Sequence, residues 1–280
     1  MYWIPPNYDS NTPAPLILSF HGAGRSPDWQ ADVDRLTDPV FNTDHILVYP
    51  ASTTSNGTWQ GAPGVPARVD DIGYVLQVLD AVQAALCVDA GRVYATGKSQ
   101  GGMLTNLLAC SAHASARIAA FAPVSGSYYI PPPFTPTNPF VCDPATVPIP
   151  SCAPARHHVP ILAFHGGNDT TIAFAGGPRN GECLPAVRHW IEAWAARDGL
   201  RTDVKPVKRI LTSAASVYEY GGDGGKSEKG LVSFVYDGDH VNHDWPATVP
   251  NLDNIENGDG PASFNASRLI MEFFSRHTLS

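Results

Sequence analysis

The sequence predicts an α/β fold: a mostly parallel central sheet with helices on both faces. Three observations predict it. Short apolar runs end in glycine-rich loops, helical apolar periodicity lies between them, and one run feeds a Gly-Lys-Ser-Gln-Gly turn. Leu16 to Phe20, His45 to Tyr49 and Arg92 to Thr96 read as buried strands. Between the last two, Asp70 and Asp71 open a helix whose apolar residues Ile72, Val75, Leu76, Leu79, Val82 and Leu86 recur at helical spacing. After Ser99 a helix through Met103, Leu104, Leu107 and Leu108 runs to Cys110, and Ile118 to Ala122 and Pro160 to His165 are further strands. Leu184 to Arg197 is expected as a helix, Leu231 to Tyr236 as a late strand and Ala262 to His277 as the closing helix. Uninterrupted apolar strands alternating with helices imply a sheet covered on both sides.

A length of 280 residues suits one sizeable core, so residues 1–280 are expected to form a single domain. The segment Gly126 to His158 breaks the rhythm. It carries nine prolines and two cysteines, which exclude a regular helix or central strand, and it reads as an insertion at about 126–158. Either it covers the active face or it is a passive surface loop. Gly221 to Gly230 reads as a flexible turn, and no internal repeat occurs. The chain opens on Met1-Tyr2-Trp3-Ile4-Pro5-Pro6, read as the tail of a strand in a chain cut ahead of it, so the lack of a leader segment says little about localisation.

A net charge of -8 with 18 Lys and Arg offers no basic surface to phosphate backbones, which argues against nucleic acid as a partner. No stretch approaches the roughly 20 apolar residues of a membrane span, so a soluble protein without a membrane partner is expected. Charged residues at 16% and 26 prolines are a balance common in secreted enzymes. The five cysteines, Cys87, Cys110, Cys142, Cys152 and Cys183, lack C-x-x-C pairing. Two structural disulfides and one free thiol in an oxidising compartment are expected, with Cys142 and Cys152 as the first pair. Asn56, Asn168 and Asn265 stand in glycosylation sequons, which matter in a secreted chain. The oligomeric state stays open.

Gly97-Lys98-Ser99-Gln100-Gly101 matches G-x-S-x-G directly after a strand and before a helix, the context of a nucleophile elbow. Flanking glycines are needed because the turn is tight and a Cβ would collide with neighbouring strands. A serine hydroxyl needs a base, and the base an orienting carboxylate, in chain order Ser, Asp, His. Asp169, in His165-Gly166-Gly167-Asn168-Asp169 after a strand, fits the acid, against a plain capping role. The loop after Tyr236 offers His240 and His243 as bases. Their H-x-x-H spacing lacks a third ligand and a helix, so no metal is expected. Negative charge on the reacting carbonyl oxygen needs two waiting N–H groups. Gln100 supplies one, and His21-Gly22-Ala23-Gly24 resembles an oxyanion loop that supplies Ala23, with Gly24 as the fallback.

Taken together, PLILSFHGAG, VDDIGYV, VYATGKSQGGM, FAPVSG, FHGGND and HDWP resemble the carbohydrate-esterase family 1 of secreted feruloyl esterases, acetylxylan esterases and related polyhydroxybutyrate depolymerases, within the α/β-hydrolase fold. The likeness spans nearly the whole chain and is strongest to the fungal feruloyl esterases. It implies Ser99 as nucleophile and Asp169 as acid. Because the family's base stands two residues before a tryptophan, as in G-H-x-W-P, it also implies His243. Here Asn242 replaces the glycine, and Asp239-His240 looks like a partial second copy, which keeps His240 as a rival.

The expected reaction is acyl transfer through an acyl-enzyme, without a cofactor, on an ester of plant cell-wall polysaccharide. Trp59, Tyr128 and Trp245 could stack on a hydroxycinnamate ring, with Tyr129 and Phe134 nearby, although each could equally pack its own loop. Deacetylation of xylan, depolymerisation of a polyhydroxyalkanoate and a non-catalytic carbohydrate-binding role are the alternatives.

Overall fold

The computed structural model describes residues 1–134, 141–221, 231–238 and 240–279. Most of the turn expected at Gly221 to Gly230, part of the insertion and Asp239 lie outside the described residues. In chain order the strands are β1 (Tyr2–Trp3), β2 (Ala14–Phe20), β3 (Ile46–Val48), β4 (Val88–Lys98), β5 (Ala120–Val124), β6 (Ile161–Gly166), β7 (Gly177–Arg179), β8 (Glu182–Leu184), β9 (Val207–Ile210), β10 (Ala215–Tyr220) and β11 (Val232–Asp237). The helices are α1 (Pro27–Asp34), α2 (Asp71–Ala85), α3 (Gln100–Cys110), α4 (Ala112–Ser115), α5 (Val187–Arg197), α6 (Leu252–Asn257) and α7 (Ala266–Phe274).

Nine strands form one sheet in the order β1-β3-β2-β4-β5-β6-β11-β10-β9. The six from β3 to β11 run parallel, β1 pairs antiparallel with β3 at one edge, and at the other β10 pairs antiparallel with β11 and β9 with β10. Alternation along β2 shows why its sequence is apolar throughout: Leu16, Leu18 and Phe20 enter one core, with α2, α3 and α5, while Ile17 enters the other, with α1 and α7. Every β2 residue is buried. A strand with two dry faces cannot alternate apolar with polar.

Every element expected from the sequence is present, with shifted ends, and several unexpected ones appear. Beyond the strand tail at the start, β9, β10, the β7–β8 hairpin, α1, α4 and α6 were not expected. Strand β9 is exposed along its length and β10 alternates, so neither carries the continuous apolar signal of the inner strands. Helix α6 is six residues long and held by an Asn251–Asn254 capping box rather than by an apolar stripe.

Strands β5 and β6 are parallel neighbours, so the chain between them must cross back over the sheet. Among the described residues the Pro-rich segment makes this crossing without a helix. It begins at the carboxyl end of the parallel strands, where Gly126 packs on Gly102, and returns to the opposite end, where Phe121 N–H donates to Pro160 O (3.0 Å). It is therefore a strap down the α3–α5 side rather than only a cover over the active face. The expected Cys142–Cys152 bridge is not formed. Cys110 pairs with Cys152, fixing the strap to the end of α3, and Cys142 pairs with Cys183 on β8, while Cys87 is free. Closeness in sequence misled here because each cysteine faces a different element. Arg156 on the strap donates to Ile118 O (2.9 Å) and Ala119 O (2.8 Å) ahead of β5, anchoring it there, and Arg197 donates to Pro150 O (2.9 Å), satisfying a strap carbonyl that a helix would have paired internally.

Candidate active site

Ser99 stands between β4 and α3 with φ 57° and ψ -116°, a left-sided backbone that non-glycine residues seldom adopt. Its N–H donates to Val124 O (2.9 Å), and its carbonyl accepts from Met103 N–H (3.0 Å) and Ser127 N–H (3.2 Å). The neighbouring glycines are required sterically. A Cβ on Gly101 would overlap Phe20 O, and one on Gly97 would press on the backbone of Gly101 and on Phe20 O. The half-buried serine is thus held up at the strand end by three strands around it.

Asp169 follows β6 and is buried. Its Oδ1 accepts from the N–H groups of Thr171 (2.9 Å) and Ile172 (2.6 Å), and its Oδ2 accepts from His243 Nδ1 (2.8 Å). A second histidine, His165, brings Nε2 within 3.3 Å of the same Oδ2 while donating to Ile172 O (2.6 Å). Burial pushes the Asp169 carboxyl up, but hydrogen bonds from His165 and His243 outweigh it and hold it well below the usual range. Burial pushes His243 down from its ordinary 6.5, opposed by Asp169, so the imidazole is neutral at neutral pH, with Nδ1–H on the carboxylate and Nε2 open as an acceptor. His240 is exposed and takes no part in this pair. Gly166 and Gly167 have a clear reason: a Cβ on either would overlap carbonyl oxygens of Val241 or Gly238, so the acid's loop lies flat on the base's loop. No hydrogen bond joins Ser99 Oγ to His243 Nε2 here, and such contacts often tighten only with substrate in place.

The loop after β2 lies against the serine, with a Cβ on Gly22 falling 3.5 Å from Ser99 Cβ. Gly24 N–H donates to Gly57 O (2.9 Å), which removes the fallback oxyanion donor. Ala23 is exposed and, among the described residues, its N–H has no partner. Gln100 opens α3, where N–H groups have no partner within the helix.

The aromatic expectations need correction. Trp59 is fully buried; its Nε1–H donates to His21 O (2.8 Å) and its backbone N–H donates to Gln100 Oε1 (3.3 Å), so it holds the oxyanion loop rather than offering a ring to substrate. Trp245 is also fully buried and donates Nε1–H to Ser267 Oγ (3.0 Å). Tyr128 turns inward over Gly126, stacks on Trp190 at 3.8 Å between centroids, and lines a cavity of about 120 Å³ with Met103, Leu107, Ile130 and Pro185. Phe134 packs with Ile130, Val147 and Cys183. In all four the indole N–H or the ring found a protein partner, which sequence position alone does not reveal. Sequence reasoning also missed His165, Lys98 and Asp253. The spacing of His165 four residues before Asp169, in HGGND, was the available signal.

This sheet order, with Ser99 after β4, Asp169 after β6 and His243 after β11, is that of the α/β-hydrolase fold. No family model matches the chain. Among curated proteins it is 30% identical over 61% of its length to a bifunctional acetylxylan esterase/xylanase of Neocallimastix patriciarum, covering 21% of that protein. It is 28% identical over 65% of its length to a probable feruloyl esterase C of Aspergillus niger, covering 62% of it. The chain thus spans less than two thirds of each of these relatives. Among solved structures, an acetyl xylan esterase from Aspergillus awamori superposes with TM-score 0.61 at 16% identity, covering 98% of this chain and 92% of that one. A ferulic acid esterase from Anaeromyces mucronatus, solved with ferulic acid, gives 0.52 at 12%, covering 99% and 83%. These structural likenesses concern the fold. The resemblance drawn from the motifs thus extends to proteins named feruloyl esterase and acetylxylan esterase.

Proposed function

We propose that the chain is a single catalytic domain, an extracellular serine esterase that hydrolyses feruloyl esters of plant cell-wall polysaccharide. The observation that carries this reading is the buried Asp169–His243 hydrogen bond, presented on the strand ends beside the strained Ser99 elbow. In the proposed reaction Ser99 Oγ forms a bond to the ester carbonyl carbon as its proton passes to His243 Nε2. The carbonyl electrons move onto oxygen, between the Ala23 and Gln100 N–H groups. Collapse of this intermediate expels the alcohol, which takes the proton from His243. Water repeats the sequence on the acyl-enzyme, releasing the acid and restoring the serine. Asp169 keeps the imidazole in the tautomer this requires.

The names of the relatives support the substrate class, and two disulfides support an oxidising compartment. Among the described residues no helix is long and apolar enough to cross a membrane. A second reading, deacetylation of xylan, is favoured by the burial of Trp59 and Trp245, which removes two rings from any hydroxycinnamate pocket. Methyl ferulate, acetylated xylan and a hydroxybutyrate oligomer, offered side by side, separate the substrates. Turnover of methyl ferulate is expected, and turnover of the acetyl substrate alone selects the second reading. A fluorophosphonate probe that leaves Ser99 unlabelled in the folded protein would overturn both.

A further inference from the structure

We infer that Asp253 is a positioning residue whose single carboxylate ties the strand carrying the nucleophile to the loop carrying the base. The inference rests on the Ser99–His243 reading above. Asp253 Oδ1 accepts from Lys98 Nζ at 2.6 Å, and Oδ2 accepts from the backbone N–H of Trp245 at 2.7 Å. Lys98 immediately precedes Ser99, and Trp245 lies two residues beyond His243. Both partners of the ion pair are almost fully buried, with side chains 7% and 2% exposed, so this is not a solvated surface contact.

Neighbouring contacts point the same way. Asn251 Nδ2 donates to Trp245 O (3.0 Å) and to Val33 O (3.2 Å), and Asn257 Nδ2 donates to Asp244 Oδ1 (2.5 Å). Glu256 accepts from Arg25 (2.6 Å) and from Trp29 Nε1 (3.2 Å), just beyond the oxyanion loop. Helix α6 therefore meets the nucleophile's strand, the base's loop and the exit of the oxyanion loop. Neither the acid nor the elbow uses Asp253, so its burial is otherwise unexplained. A buried ion pair is a weak device for stability and a good one for fixing geometry.

The test compares the wild type with K98M/D253L and K98M/D253N, in which neither buried charge is left alone. Asparagine keeps an oxygen for the Trp245 N–H, whereas leucine removes it. With 4-nitrophenyl acetate as substrate, K98M/D253L is expected to lose at least about tenfold in kcat with KM within about twofold, the pattern of a displaced reacting group. K98M/D253N, which keeps only the tie to Trp245, is expected to recover no more than part of the loss, and K98R, which keeps both ties, most of it. Wild-type turnover in either double variant, or equal loss in K98R, would overturn the inference. If K98M/D253L does not fold by near-ultraviolet circular dichroism, D253N carries the test. His243 faces Asp169 from the β6 loop, Lys98 from β4 and Asp253 from α6; Asp244 and Asp259 lie along its own segment, and His165 shares Asp169. In D253N the Asp253 charge is lost and Lys98 acts on His243 alone, so the acidic limb of kcat/KM should move to lower pH, and an unmoved limb overturns the inference. A wild type that neither turns over esters nor labels at Ser99 instead defeats the esterase reading itself.

Discussion

At the scale of single residues, the two histidines three positions apart are separated by their partners. His243 gives Nδ1–H to a buried carboxylate, and His240 faces solvent. H243A is expected to lower kcat on a soluble ester by about four to six orders of magnitude, as in hydrolases whose base is removed. H240A should stay within about twofold, as surface substitutions do. The reverse pattern would move the base to His240. Burial holds His243 below 6.5, and only the neutral ring can accept the serine proton. The acidic limb of kcat/KM against pH is therefore expected below 6.5, and a limb above it would contradict this account. Ser99, Asp169 and His243 were legible because strand-end position and residue chemistry coincide in them. The tryptophans were not. An indole near an active-face loop carries the same local signal whether it faces substrate or, like Trp59 through His21 O, its own backbone.

Among elements, the inner parallel strands and the long helices could be read from apolar runs and helical spacing, since burial of two faces or one stripe writes itself into composition. Edge strands β9 and β10 and the short helix α6 could not. The edge strands lack a continuous apolar run because β9 is exposed and β10 alternates, and α6 is set by hydrogen bonds to distant segments, such as Asp253 with Lys98 at a separation of 155, which no local window contains. The strap falls in the same class. Its prolines excluded a helix, but its course was set by Cys110 and Cys183, each about 40 residues from its partner. Removing the first bridge as C110S/C152S opens a closed loop of that length and is expected to lower stability by about 2–4 kcal/mol in urea unfolding. kcat/KM on a small ester should be little changed, because Ser99 is fixed by β4 and β5 rather than by the strap. A large loss of activity at unchanged stability would contradict that separation.

For the molecule as a whole, buried titrating groups of opposite sense oppose one another. Burial pushes Asp34 up to about 7 against hydrogen bonds from Ser19, Leu36, Tyr49 and Gln30, and pushes Asp198 and Asp244 up to about 6. These carboxyls keep protons that the unfolded chain has lost, so each makes stability fall as pH rises from about 4 towards its folded value. Burial also pushes His45 and His277 down to about 4, and His243 in the same direction. The unfolded chain protonates these below about 6.5, so each makes stability fall as pH falls. His21 is pushed down as well, so histidines and carboxyls oppose one another, and stability is expected to change less steeply between pH about 4.5 and 6 than either set alone would make it. D34N removes one carboxyl and should tilt the curve upward with pH by about 1.4 kcal/mol per unit, read from urea midpoints. A D34N curve parallel to wild type would refute the balance. The crossover between β5 and β6 has a consequence of another kind. A helical crossover must keep its register, because each inserted residue rotates its buried stripe by about 100°. The strap, held by two covalent staples and scattered carbonyl contacts, has no register to keep. Residues can be gained or lost between the staples while Ser99, Asp169 and His243 stay where the sheet puts them. It is the stretch along which a lineage can reshape the cavity wall that Ile149, Pro150 and Ser151 share with Tyr128 without disturbing the sheet.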